Sequence, residues 1–220
     1  MRVALEGQEE AQSGPFLLLV RHTSLADTVL AATFLSHPNG IGLRYILKKE
    51  LLWDPCLDIV GRRLPNHFVD RSGRNTEREL NAVKALARNL TGSEGVLLYP
   101  EGTRFSPGKL ERALLKLRES GKAALADRAE GWERVLPPRP GGFLALLEEA
   151  PGVDVVVLAH TGFEGSAKWK DFWSGALIGK TLKLRVSRFP ATEIPAGDRV
   201  GWLYERWGEM NDWVTEHAES

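Results

Sequence analysis

The chain carries one cysteine, two methionines and no surplus of either charge. Cys56 alone cannot close an internal disulfide, which fits a reducing compartment. The 29 basic and 29 acidic side chains cancel. That balance excludes a nucleic-acid binder working by bulk phosphate attraction and an acidic disordered chain. Long apolar runs are also missing: Phe16–Val20, Phe143–Leu147 and Val155–Ala159 are the longest, at five residues each, against the ~20 that a transmembrane helix needs. Residues Met1–Gln12 hold three acids and no apolar stretch, so they do not read as a secretory signal. There is no internal repeat, low-complexity tract or evident linker.

What is present is ordinary globular composition: 220 residues, 43% apolar and 26% charged. A chain of this length buries about 70% of its surface, and residues 1–220 read as a single domain. Beneath the neutral total the charge is uneven. From Phe172 to Thr192 there are four bases (Lys180, Lys183, Arg185, Arg188) and no acid, and from Glu193 onward seven acids and two bases. Five of the seven tryptophans lie between Trp169 and Trp213.

Hydrophobic periodicity predicts alternating strands and helices. Phe16–Val20 reads as a short buried strand, followed by a helix capped by Thr23 or Ser24 with Leu25, Val29, Ala32 and Leu35 as its apolar stripe. Leu43–Leu47 is a strand and Lys49–Val60 helical around Asp54-Pro55. A short strand His67–Asp70 precedes an amphipathic helix over Asn75–Leu90, and Val96–Tyr99 is a buried strand ending at Pro100. Helical pieces over Lys109–Glu119, Lys122–Glu130 and Phe143–Glu149 follow, then a strand Val153–His160. Thr181–Arg188 alternates like an edge strand, and Val200, Leu203, Trp207, Met210 and Val214 mark a closing helix. The pattern predicts an α/β fold: a central, mostly parallel sheet flanked by helices.

Three segments at strand ends carry chemistry, and ligand clefts of open α/β sheets sit there. In His22-Thr-Ser-Leu-Ala-Asp27 the carboxylate can fold back onto one imidazole nitrogen and leave the other as a general base; the same spacing also suits a helix-capping region with a solvated histidine. In Pro100-Glu-Gly-Thr-Arg104, Gly102 permits close approach, Arg104 offers a fork for phosphate, and Thr103 adds a hydroxyl; a plain turn with a surface arginine has the same pattern. In Phe68-Val-Asp-Arg71-Ser-Gly-Arg74, two arginines before a helix N-terminus form either an anion cradle or a solvated capping loop.

Taken in order, these segments resemble the glycerolipid acyltransferase family, which includes 1-acylglycerol-3-phosphate acyltransferases. The family's His-x4-Asp block is His22…Asp27, its aromatic-aliphatic-Asp-Arg block is Phe68–Arg71, and its Pro-Glu-Gly-Thr-Arg block is met in full at Pro100–Arg104. A looser Pro-containing block resembles Val135–Phe143. The resemblance covers residues 16–165, leaving a C-terminal strand and helix in 166–220. Two features depart from it. Arg21 stands where the family usually has Asn, and about fifteen mostly polar residues precede the first block where many members carry an apolar helix.

The resemblance implies a transferase that moves a fatty acyl group from acyl-CoA or acyl-carrier protein to the free hydroxyl of a lysophospholipid, with 1-acylglycerol 3-phosphate giving phosphatidate. His22 and Asp27 would be catalytic; Arg71, Glu101, Gly102, Thr103 and Arg104 would hold the acceptor, with Arg74 and Arg139 as further contacts. Backbone N–H groups of the Pro138–Gly142 turn could stabilise an oxyanion. No metal and no cofactor beyond the acyl donor is implied. Other expectations within reach are another lysolipid or an amino-acid lipid as acceptor, a lipid hydrolase using the same pair, and an inert lipid-binding domain. A lipid acceptor implies a cytoplasmic enzyme peripheral on the inner face of the membrane, without nucleic-acid partners. Trp169, Phe172 and Trp173 beside Lys168 and Lys170, with the acid-free stretch to Thr192, have interfacial character or else fill the core.

Other matches lack their context. Gly175–Thr181 has three residues between its glycines where a P-loop has four. Ser106–Lys109 lacks the partner motifs of Ser-x-x-Lys hydrolases. His37, His67, His160 and His217 show no metal-ligand spacing with one another or with Cys56.

Overall fold

The computed structural model describes residues 2–24, 27–48, 67–69, 76–163 and 179–218. Strands β1 (Arg2–Glu6), β2 (Phe16–Val20), β3 (Gly42–Lys48), β4 (His67–Val69), β5 (Glu94–Leu98), β6 (Asp154–Thr161) and β7 (Thr181–Phe189) form one sheet in the order β1-β7-β6-β2-β5-β3-β4. From β6 through β2, β5 and β3 to β4 every neighbour is parallel. Strand β7 is antiparallel to β6, and β1 is parallel to β7. The α/β class and the mostly parallel sheet agree with the sequence pattern.

Phe16-Leu-Leu-Leu-Val20 is buried throughout because both faces of the sheet are covered. Successive side chains of a strand point to opposite faces. Leu17 and Leu19 accordingly pack with Val83 and Leu86 of α2 (Thr76–Leu86), Phe143 and Leu146 of α5 (Pro140–Glu149), and Leu203, Trp207 and Val214 of α6 (Arg199–His217). Phe16, Leu18 and Val20 pack on the other face with Leu30 and Ala31 of α1 (Asp27–Ala31), Leu35, and the β7 residues Leu182, Leu184 and Val186. Two further helices, α3 (Pro107–Glu119) and α4 (Ala123–Arg128), follow β5. Gly95 of β5 is required by packing: a Cβ there would meet the Phe16 ring at 2.7 Å.

Two expectations change. Arg2–Glu6, where the sequence pattern predicts no element, pairs with β7, so Thr181–Phe189 is an inner strand and β1 the edge. The sequence hides β1 because an edge strand needs only backbone pairing, and four of its five residues are exposed. In the first helix, Val29 is 56% exposed while Leu30, Ala31 and Leu35 are buried. Asp27 faces back toward residues 23 and 24, and its i+3 and i+4 neighbours share its face. A π turn over Ala32–Ser36 then carries Leu35 onto the same side. The helix expected over Lys49–Val60 lies outside the described residues.

Candidate active site

The parallel registers bring three strand ends together. Leu19 pairs with Leu98 of β5, and Val20 with Leu158 of β6, so residues just past each strand converge on one edge. His22 follows β2. Its Nδ1 lies 3.2 Å from Asp27 Oδ2, which places the ring proton on Nδ1 and leaves Nε2 as an acceptor. The His22 side chain is 19% exposed and that of Asp27 fully buried. The His22 ring also packs on Tyr99, centroids 4.6 Å apart.

Asp27 collects donors. Its Oδ2 accepts the Thr23 N–H in a short bond and the Ser24 N–H at 2.7 Å. Asp27, the first residue of the helix, thus draws in the backbone N–H groups of Thr23 and Ser24, and its Oδ1 accepts the Thr23 hydroxyl. Behind it sits His160 at the end of β6, fully buried, with Nε2 3.5 Å from Asp27 Oδ1 and 3.1 Å from the Arg21 carbonyl. Burial alone would raise the Asp27 carboxyl; His160, the His22 bond and the Ser24 and Thr23 N–H groups outweigh it and hold the group below its ordinary 3.8.

Arg21 and Glu101 lock this cluster to the rest of the fold. Arg21, fully buried, donates from Nε and Nη2 to the Arg134 carbonyl (3.0 and 2.8 Å) and from Nη1 to the His160 carbonyl (2.7 Å). It points into the protein and braces β2 against β6. Glu101 is 1% exposed, and its two oxygens accept the N–H groups of His22 (3.0 Å) and Leu136 (2.9 Å). Burial pushes its carboxyl up to about 8, against the pull of those N–H groups and of Arg21. The resemblance implies that Glu101 helps hold the acceptor; in the structure both its oxygens accept backbone N–H groups, one of them that of His22.

The rest of the turn is more open. Gly102 has φ +70°, and a Cβ there would stand 3.3 Å from the Arg139 side chain, so its side of the turn is left to Arg139. Arg139 is exposed, and its N–H donates to the Pro100 carbonyl at 2.8 Å. That bond, together with the missing N–H groups of Pro138 and Pro140, narrows the oxyanion donors of the Pro138–Gly142 turn to Gly141 and Gly142 in the first turn of α5. Thr103 and Arg104 are half-buried, and Lys109 Nζ bonds the Thr103 hydroxyl (3.1 Å) and the Arg104 carbonyl (2.7 Å). Asp70, Arg71, Arg74 and residues 168–173 lie outside the described residues. In the basic stretch, Lys183 bonds the His217 carbonyl, Arg185 stacks over Trp213, and Arg188 pairs with Asp154. These three bases serve internal contacts.

Sequence reasoning missed His160 and Lys109. His160 ends an apolar run that pairs beside the His22 strand, and a polar residue there marks a site only once the register is known. Among the described residues no cluster of His, Cys, Asp and Glu is suited to hold a metal, and no helix is long and apolar enough to cross a membrane.

An acyltransferase family model matches residues 2–159, well over half of the chain, and the chain belongs to that family. Its fold is similar to the crystal structure of PlsC, the 1-acyl-sn-glycerophosphate (LPA) acyltransferase of Thermotoga maritima. The two share 17% identity with a TM-score of 0.57, over 98% of this chain and 71% of that one. No curated protein matches the sequence at a significant level.

Proposed function

We propose that the chain transfers a fatty acyl group from acyl-CoA or acyl-carrier protein to the free hydroxyl of a lysophospholipid, 1-acylglycerol 3-phosphate being the preferred acceptor. One observation carries this reading: His22, held by buried Asp27 through Nδ1, presents Nε2 at the convergence of three strand ends. In the reaction, Nε2 takes the proton of the acceptor hydroxyl as its oxygen attacks the thioester carbonyl. The C–O bond forms, the C–S bond breaks, and the imidazolium returns the proton to the departing thiolate. Asp27 stabilises the imidazolium while it lasts. Gly102, Thr103 and Arg104 receive the acceptor phosphate, with Arg71, and Arg74 and Arg139 are further candidate contacts. Glu101 acts indirectly, by seating His22. The acceptor places the reaction at a bilayer surface, so the enzyme would be peripheral, on the cytoplasmic side of the membrane; residues 168–173 carry that part of the proposal.

Thiol release from acyl-CoA, measured with and without lysophosphatidate, tests it. Acceptor-dependent release that His22→Ala abolishes in a folded protein is the expected result. Release that ignores the acceptor would make the chain a hydrolase, and lipid binding without release a binding domain.

A further inference from the structure

A concavity of about 330 Å³ opens beside the active site between α3, the start of α4, residues 137–140 and Tyr204. Its floor is apolar, built from Leu117, Leu125, Pro137, Pro138 and the Tyr204 ring, and its rim carries Lys116, Lys122 and Arg139. No acid lines it. In a chain whose charges cancel, this local surplus is specific. Arg118, two residues along α3 from Lys116, pairs with Asp127 and Glu130, so acids are close by but turned to another face. Elsewhere Arg44, Lys84 and Arg88 are each matched by a glutamate. Lys116, Lys122 and Arg139 form no ion pair with a described residue. The cavity also touches the catalytic turn, since Arg139 lies against Gly102 and its N–H holds Pro100, the residue before Glu101.

An apolar floor with an acid-free cationic rim fits a ring system bearing several phosphates better than it fits an acyl chain, which needs no cations, or a lone phosphate, which needs no floor. We propose that this cavity receives the nucleotide end of a coenzyme A thioester: the purine lies against the apolar floor, and the phosphates meet Lys116 and Lys122. The inference rests on the acyltransferase reading and selects the CoA donor over the carrier protein.

Adenosine 3′,5′-bisphosphate, the nucleotide end without thioester or acyl chain, is the probe. Calorimetry should show it binding the full-length wild-type protein and, with unchanged affinity, the His22→Ala protein. Affinity should fall at least about tenfold in Lys116→Ala/Lys122→Ala, whose exposed side chains make no contact the fold depends on; a matching thermal melt confirms the fold. In acyl transfer the double variant should raise KM for acyl-CoA by a similar factor. It should leave kcat, KM for the lysolipid, and the rate with an S-acyl-pantetheine donor unchanged. Failure of the wild type to bind the probe, equal binding by the double variant, or a shift in the lysolipid KM instead would overturn the proposal. Probe binding that depends on both lysines in a protein without transferase activity would leave the cavity standing and refute the acyltransferase reading. Transfer from acyl-CoA with a KM indifferent to both lysines would do the reverse.

Discussion

His160 is the residue whose replacement tests most of the site's electrostatics. His160→Phe keeps a buried aromatic ring, somewhat larger than imidazole, and removes the polar contacts of Nε2 with the Arg21 carbonyl at 3.1 Å and Asp27 Oδ1 at 3.5 Å. Leaving a carbonyl without its bond costs about 1–3 kcal/mol, and weakening the support of a fully buried carboxylate adds about 1 kcal/mol. The expected loss is about 2–4 kcal/mol, which for a chain of this size lowers Tm by roughly 5–15 °C. The pH dependence carries the diagnostic sign. Asp27 is depressed in the folded state, so its stabilisation is complete above 3.8 and vanishes as pH falls through the lower folded value. Without His160 burial gains ground, the folded value climbs, and acid unfolding should begin at higher pH. His160→Gln, which can set an amide donor near the position of Nε2, should recover part of both losses. Transfer activity should fall with Asp27's hold on His22, by up to the roughly 10²–10⁴-fold that a general base supplies. Urea denaturation from pH 3 to 8, paired with kcat/KM on the same proteins, decides it. A His160→Phe protein with wild-type stability and an unmoved acid midpoint would refute the reasoning.

Two further substitutions separate the roles of neighbouring groups. Glu101, raised by burial from 4.5 to about 8, keeps in the fold a proton that the unfolded chain has released, so stability should fall as pH rises between those values. From pH 5.5 to 7.5 the contribution is about 3 kcal/mol, and Glu101→Gln should lack that slope in denaturant titrations at the two pH values; parallel curves would count against it. Among the described residues the buried Tyr99 hydroxyl, beside His22, has no hydrogen-bond partner, so Tyr99→Phe should gain about 1 kcal/mol in thermal melts; a destabilised variant would show the hydroxyl to be satisfied.

The parts of the fold that the sequence announces are those where one physical demand dominates. Phe16–Val20 and Val155–Ala159 are unbroken apolar runs because both faces of a parallel sheet are buried, and α6 declares itself by its 3–4 spacing of Leu203, Trp207, Met210 and Val214. Strand β1 is invisible because its stabilisation is backbone pairing, which leaves no side-chain pattern. The rotation of α1 was misjudged because a buried aspartate overrides apolar periodicity: Asp27 must reach Thr23 and Ser24, and the helix turns to let it. In the site, the spacing of His22 and Asp27 permits their contact, and the order of the three blocks and the family resemblance single the pair out. The partnership of Arg21, Glu101 and His160 spans 79 to 139 residues of chain and follows only from the order of strands. An arginine standing in place of asparagine looks like a change of specificity, yet Arg21 points away from the cleft.

The site's two buried carboxyls are shifted in opposite directions although burial raises both, and the donors explain why. Asp27 gathers two backbone N–H groups on one oxygen, the His22 ring beside them and His160 on the other side, enough to stay charged without solvent. Glu101 has one backbone N–H for each oxygen, too little to outweigh complete desolvation. The outcome suits each position. The carboxyl that steadies an imidazolium needs its charge, because Coulombic attraction is its means of action. Glu101 sits within the turn that also presents Gly102, Thr103 and Arg104, where an ionised side chain would repel the phosphate these residues are proposed to receive. Held neutral at physiological pH, Glu101 still accepts the His22 backbone N–H and adds no negative charge to that turn.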